Sequence, residues 1–223
     1  FFVALLGVLA SRPLQLRISK PLAQLTQAMQ ELRTSRDYSV NLADDNSEDE
    51  TGVLTKTFNG MMQDIRFRDQ SLQKLAYNDP LTGLPNRLSF QRSVTDWLGI
   101  KYQPTYGSIL LVNIVGFRSI NDAFSHSIGD AVLMTVAATV KSALPENVTL
   151  ARYGGDEFAM LLPAAVGEVE VEMFASRIQS AFFKPLHIGD LDLHVGLTAG
   201  AVMLDGNSNA DEALRHADLA LTE

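Results

Sequence analysis

The chain reads as an α+β protein, a mixed sheet flanked by helices and preceded by a helical hairpin. Three observations carry that reading. After residue 88, strand-length apolar runs alternate with helical patterns, and two strand pairs are joined only by tight turns, unlike a doubly wound fold. Ahead of them, apolar residues recur four and three apart in two stretches, the spacing of helices that pair along a seam. With 46% hydrophobic and 20% charged residues, the 223-residue chain has the make-up of a globular protein of one or two domains. The absence of cysteine excludes a disulfide framework and thiolate chemistry. A net charge of −8 argues against a general nucleic-acid binder, which needs a basic face.

Residues 1–10 are all apolar or glycine, and Arg12, Arg17 and Lys20 follow. A bilayer needs about 20 apolar residues, so this run is expected to be the inner end of a transmembrane helix over 1–11, cut from a longer chain, with the basic residues on the cytoplasmic side. The plainer alternative is a short buried helix. The first seam runs Ile18, Leu22, Leu25, Met29, Leu32. The second runs Leu54, Phe58, Met61, Ile65, Leu72, with Arg68 where an apolar residue is due. Between them lies a polar connector with Tyr38, Val40 and Leu42 as anchors and an acidic cluster from Asp44 to Glu50. The residues alone fit an antiparallel helical hairpin. Pro21, the Asp49-Glu50-Thr51-Gly52 start of the second helix and the apolar stub together resemble a HAMP domain, here 12–66. That resemblance implies a parallel homodimer of hairpins beneath a membrane, relaying a shift between two packings. A signalling helix over 67–78 would carry the shift onward. Arg68 interrupts its seam and is expected to disturb the winding there.

Two prolines and a glycine in Asn78-Asp79-Pro80-Leu81-Thr82-Gly83-Leu84-Pro85-Asn86-Arg87 predict a structured turn before a helix over 88–97. Trp97 is expected to pack that helix on the sheet. The apolar run 109–115, broken only by Asn113, predicts a central strand. A helix is predicted over 129–143, then a hairpin of strands 149–153 and 157–162. Helix 168–183 follows, with short strands at 186–188 and 191–195, a last strand at 197–203 and a final helix from Asp211. His187, His194 and His216 lack metal-ligand spacing and read as surface or strand positions.

The hairpin turn carries Gly154, Gly155, Asp156 and Glu157. Glycines suit positive φ at a tight turn, which holds both carboxylates at the rim of a sheet. By itself this reads as a solvated hairpin tip. Within Ala-Arg-Tyr-Gly-Gly-Asp-Glu-Phe, and with the earlier Asp79-Pro-Leu-Thr-Gly-Leu-Pro-Asn-Arg87, it resembles the GGDEF domain of diguanylate cyclases, which join two GTP molecules into cyclic di-GMP. The resemblance covers 79–223 and implies a palm-like sheet of the nucleotide-cyclase type. It also implies that the last helix is truncated at Glu223, ahead of the family's basic residues.

Such a reaction needs a hydroxyl to attack an α-phosphate in line while cations neutralise the phosphate oxygens. Magnesium suits this, held by one or two carboxylates and the triphosphate. The resemblance makes Asp156 the expected metal ligand and catalytic carboxylate, and Glu157 a second ligand or general base. It assigns the guanine edge to Asn121 and Asp130, and adds Phe117, Arg118 (for the family's lysine), His126, Gly154 and Gly155 to the GTP-binding set. The family's Asp-x-Asp at the end of the central strand is replaced by Asn113 and Val115. Asn113 is then either a degenerate ligand or merely a polar strand end, with the Ile114 backbone carbonyl still available to a metal. Losing even an outer-shell partner of a metal site costs about 10–100-fold. Pro145-Glu146-Asn147-Val148 stands where the family's inhibitory Arg-x-x-Asp belongs, so no inhibitory site is expected.

The expectation is a cyclic di-GMP signalling protein on the cytoplasmic face of a bacterial inner membrane. Its GGDEF domain binds GTP with weak or lost magnesium and weak or lost cyclase activity, and regulates a following EAL phosphodiesterase domain. The alternatives are an active diguanylate cyclase and an interaction scaffold that binds no nucleotide, against which Asn121 and Asp130 argue.

Overall fold

A computed structural model describes residues 20–35, 38–43, 49–100, 106–163, 167–205 and 208–222. The expected membrane stub over 1–11, Ile18 and the acidic positions 44–48 lie outside the described residues. Among the described residues no helix is long and apolar enough to cross a membrane. The chain divides into two compact units, Phe1–Lys74 and Leu75–Glu223.

The first unit holds helix α1 (Lys20–Ser35) and most of α2 (Glu50–Tyr77). Asp49 opens α2: its Oδ1 accepts from the backbone N–H of Thr51 and Gly52, at 3.1 and 3.0 Å, filling donors that the first turn leaves open. Leu25 and Ala28 of α1 and Phe58 and Met62 of α2 are buried together, with Leu32, Ile65 and the connector residues Tyr38, Val40 and Leu42 against them. Asn59 clasps the connector from both sides, accepting from Leu42 N and donating to Leu42 O. The predicted seams therefore divide. Leu25 and Phe58 close the hairpin, whereas Leu22, Met29, Leu54 and Met61 are exposed. Ala28 and Met62, outside the predicted seams, complete the inner face. α2 runs without a break through Arg68 to Tyr77, and the arginine is exposed there.

In the second unit, α3 (Arg87–Leu98) leads to β1 (Gly107–Ile114), α4 (Phe117–Ala123) and α5 (His126–Ala143). Then come β2 (Thr149–Gly154), β3 (Glu157–Pro163), α6 (Glu168–Ser180), the hairpin β4 (Leu186–Ile188) and β5 (Leu191–Leu193), β6 (Leu197–Leu204) and α7 (Ala210–Thr222). The main sheet has the order β2-β3-β1-β6, and every neighbouring pair is antiparallel. The α+β class stands, but the sheet is not mixed in its pairing. β1 and β2 run the same way, as a helical crossover requires, yet β3 lies between them and pairs with both.

Alternation along the strands makes two cores. Leu110, Val112 and Ile114 of β1 face Val132, Leu133 and Val136 of α5 and Ile178 of α6. Ile109 and Leu111 face Phe90 and Val94 of α3 and Leu214 and Ala217 of α7. Trp97 packs on this second core, as expected, over Gly107, where a Cβ would stand 2.7 Å from its ring. At Gly200 of β6 the backbone of α7 comes so close that a Cβ would lie 2.4 Å from Leu221 N. Several elements differ from expectation: α6 ends at Ser180 rather than at 183, β5 ends at Leu193 rather than at 195, α4 is an added helix, and α5 starts at His126, where the Ser125 side chain caps Ile128 N. That cap lets the turn begin three residues before the predicted start.

Candidate functional site

The hairpin turn between β2 and β3 is fixed from its own base. Arg152 donates from Nε and Nη2 to the Gly155 carbonyl at 3.0 and 2.7 Å, and from Nη1 to both oxygens of Asp79 at 3.0 and 3.1 Å. Asp79 also accepts from Thr82 N and Oγ1, at 2.8 and 2.7 Å. Burial alone would raise its pKa, but the bonds from Thr82 and the Arg152 guanidinium hold it below the ordinary carboxylate value. The same loop receives Arg152 N at Pro85 O, and Gly83 takes a φ of 70° to close it. The motif Asp79 to Arg87 is thus a clasp on the signature turn. In that turn Gly155 has the positive φ, 21°.

Above the clasp, Asn113 and Glu157 are direct partners in the β1–β3 register, and Asn113 faces Thr198 across the β1–β6 register. Their side chains line a cleft of about 450 Å³ with Arg87, Tyr153, Asp218 and Leu221. Glu157 is the signature carboxylate that shares this space with Asn113. Asp156 sits one residue earlier, where its carbonyl accepts from Ile114 N at 3.2 Å. Burial pushes the Glu157 carboxyl above its ordinary pKa. The charges of Asp218 and Asp156 add to that, and Arg87 opposes it. Tyr153 is 4% exposed; burial raises its phenol pKa, Asp218 adds to the rise and Arg87 resists. Val115 is 52% exposed at the strand's end, beside Gly116 in the left-handed region at φ 70°.

The expected guanine pair lies on the other face of the sheet, where α4 meets α5. Asn121 rests directly on Gly129: a Cβ there would stand 1.9 Å from Asn121 Oδ1 and 3.3 Å from Phe117 Cζ. Asp130, next in sequence, is exposed, as are Arg118 and His126. Phe117, partly buried, packs against the core at the start of α4. The structure thus gathers Asn113, Ile114, Asp156 and Glu157 at one strand end, and sets Asn121 of α4 against Gly129 of α5, the residue before Asp130. Arg87, Tyr153, Thr198 and Asp218 were not singled out from sequence. Arg87 carried a signal, its place in the Asp79–Arg87 motif. Asp218 carried none, since only the packing of α7 on β6 delivers it.

Among the described residues no group of three or more His, Cys, Asp or Glu could hold a metal ion. Glu157 and Asp156, with the amide oxygen of Asn113, offer hard oxygen donors at the strand end. That donor set fits a magnesium ion whose shell is completed by substrate phosphates, and does not fit an all-protein cage.

Comparison with known proteins agrees with this architecture. The family model described as diguanylate cyclase, GGDEF domain, matches residues 76–223, and the HAMP domain model matches residues 14–67. Diguanylate cyclase TpbB of Pseudomonas aeruginosa is 30% identical over 95% of this chain and 51% of its own length. The chain therefore spans about half the length of that curated relative. Cyclic di-GMP phosphodiesterase PdeR of Escherichia coli is 32% identical over 70% of this chain and 23% of its own length. The crystal structure of the GGDEF domain of TpbB (YfiN) superposes with a TM-score of 0.60 at 28% identity, over 63% of this chain and 89% of that one.

Proposed function

We propose, from the premise that the chain belongs to the GGDEF family of diguanylate cyclase domains and carries a HAMP domain before it, that it is a cyclic di-GMP signalling protein whose GGDEF domain binds GTP and has little cyclase activity. The observation that carries this reading is the pairing of Asn113 with Glu157, where the family's strand-end carboxylate would stand. Glu157, Asp156 and the Asn113 amide oxygen would hold a magnesium ion together with the triphosphate; that ion, when bound, neutralises the phosphate oxygens. Asn121 and Asp130 offer an amide and a carboxylate to the guanine edge. Glu157, lining the cleft at the strand end, is the group placed to take a proton from an attacking hydroxyl. With one charge missing from the strand end, that step has weaker support than the family pattern supplies.

The proposed division is a HAMP relay over 12–66, a signalling helix over 67–78 and the GGDEF domain over 79–223. Membrane anchorage follows from the apolar residues 1–10 with Arg12, Arg17 and Lys20 behind them. Pairing of two hairpins in parallel is supported by the exposed stripe of Leu22, Met29, Leu54 and Met61. Regulation of an EAL phosphodiesterase domain is the output this reading favours. The second reading, an active diguanylate cyclase, is favoured by Glu157 itself and by TpbB's resemblance along 95% of the chain.

Calorimetry with GTP tests the binding half of the proposal. Asp130→Ala should abolish the binding heat, and withdrawal of magnesium should weaken it only modestly. An indispensable magnesium together with a harmless Asp130→Ala would put the nucleotide somewhere else.

A further inference from the structure

The Glu157 cleft contains a cation that its proposed role does not use. Arg87 is the first residue of α3, and the residue before it is doubly anchored: Asn86 donates from Nδ2 to Ala76 O at 2.8 Å and from its backbone N–H to Tyr77 O at 2.9 Å. The Arg87 guanidinium lies 4.5 Å from the centre of the Tyr153 ring. Tyr153 in turn meets Phe90 edge-on, with centroids 6.1 Å apart and planes at 83°. Backbone anchorage and the stack together aim a permanent positive charge into the space lined by Glu157 from β3, Asp218 from α7, and the neutral Asn113 and Thr198. Two carboxylates and one guanidinium line the cleft.

We infer that Arg87 is the built-in counter-charge of this cleft, balancing Glu157 and Asp218 when no divalent ion is bound and raising the divalent-ion concentration needed to fill the site. The inference rests on the metal position proposed above and deepens it. A guanidinium cannot shed its proton, so an incoming ion always meets its repulsion. With an aspartate at 113 the carboxylates would outnumber Arg87 three to one. With Asn113 the ratio falls to two to one, and the arginine weighs correspondingly more. The substitution at 113 and the arginine at 87 thus act in the same direction, against metal entry.

The test uses Mn2+ as the probe, without nucleotide, titrated into the 223-residue chain while free Mn2+ is followed by electron paramagnetic resonance. Arg87→Gln should tighten Mn2+ binding by about tenfold, whereas Arg87→Lys, which keeps the charge, should stay close to the parent. Asp218→Asn should weaken binding. Weaker or unchanged binding in Arg87→Gln, or the same gain in Arg87→Lys, overturns the inference. So does an absence of Mn2+ binding in both the parent and Arg87→Gln. Should Arg87→Gln fail to fold, Arg87→Met, which keeps the apolar stem over Tyr153 without the charge, is read in its place: tighter Mn2+ binding than the parent supports the counter-charge, and unchanged or weaker binding overturns it. Because no nucleotide is present, these outcomes are independent of Asp130→Ala and GTP, so the inference and the nucleotide reading can fail separately.

Discussion

Asn113 stands opposite Glu157, so a carboxylate restored there enters the cleft directly. Asn113→Asp should raise cyclic di-GMP formation by about 10–100-fold, the scale of changes around metal sites. Pairing it with Val115→Asp is the stronger version, since Val115 is the second altered position and is exposed at the same strand end. Brisk turnover by the unaltered protein would contradict the weak-cyclase reading. An inert double variant would move the defect to pairing of the domains or to phosphate contacts. Much of this site was legible at residue level because its motifs are local. Gly154 to Glu157 is one turn, and Asn121 with Asp130 spans one helix junction. What was not legible is what tertiary packing adds. Asp218 lies 61 residues after Glu157, and only the packing of α7 on β6 brings it to the cleft.

The clasp on the signature turn is an element-scale device, joining the loop before α3 to the β2–β3 hairpin through Asp79 and Arg152. Arg152→Ala leaves a half-buried carboxylate short of its donor, which should cost about 1–3 kcal/mol in a denaturant titration. The pH dependence has a definite sign. Asp79 has a folded pKa below the ordinary aspartate value of 3.8, so its stabilising contribution is complete above that value and fades as pH falls through the lower folded one. Asp79→Asn should therefore flatten the acid side of a plot of melting temperature against pH; an acid limb parallel to the parent's would show that the pair contributes nothing. Element order was readable from apolar spacing and turn residues. Pairing was less so, because strand patterns do not say that β3 inserts between β1 and β2. Nor does a glycine-free Ser-His-Ser sequence advertise that Ser125 caps α5.

For the molecule as a whole, the hairpin's two apolar stripes make separable predictions. Glutamates in place of Leu22 and Met29, which are exposed, should leave folded monomers in sedimentation if the stripe pairs two chains. A glutamate at Leu25 or Phe58, inside the hairpin, should instead melt helicity in circular dichroism, since burying an unpaired charge is costly. Equal loss of helicity from both pairs would mean that the outer stripe is also internal. Gly200 has a different reach. Its missing side chain lets α7 lie directly on β6, and α7 carries Asp218 to the cleft. A single methyl group there would push the helix outward, at an overpacking cost of about 1–3 kcal/mol. A Gly200→Ala allele arising in a natural population would touch neither nucleotide nor metal and would look silent in a survey of signalling genes. It would nonetheless retune the charge around Glu157, so inherited variation in output can originate at a residue with no chemistry of its own.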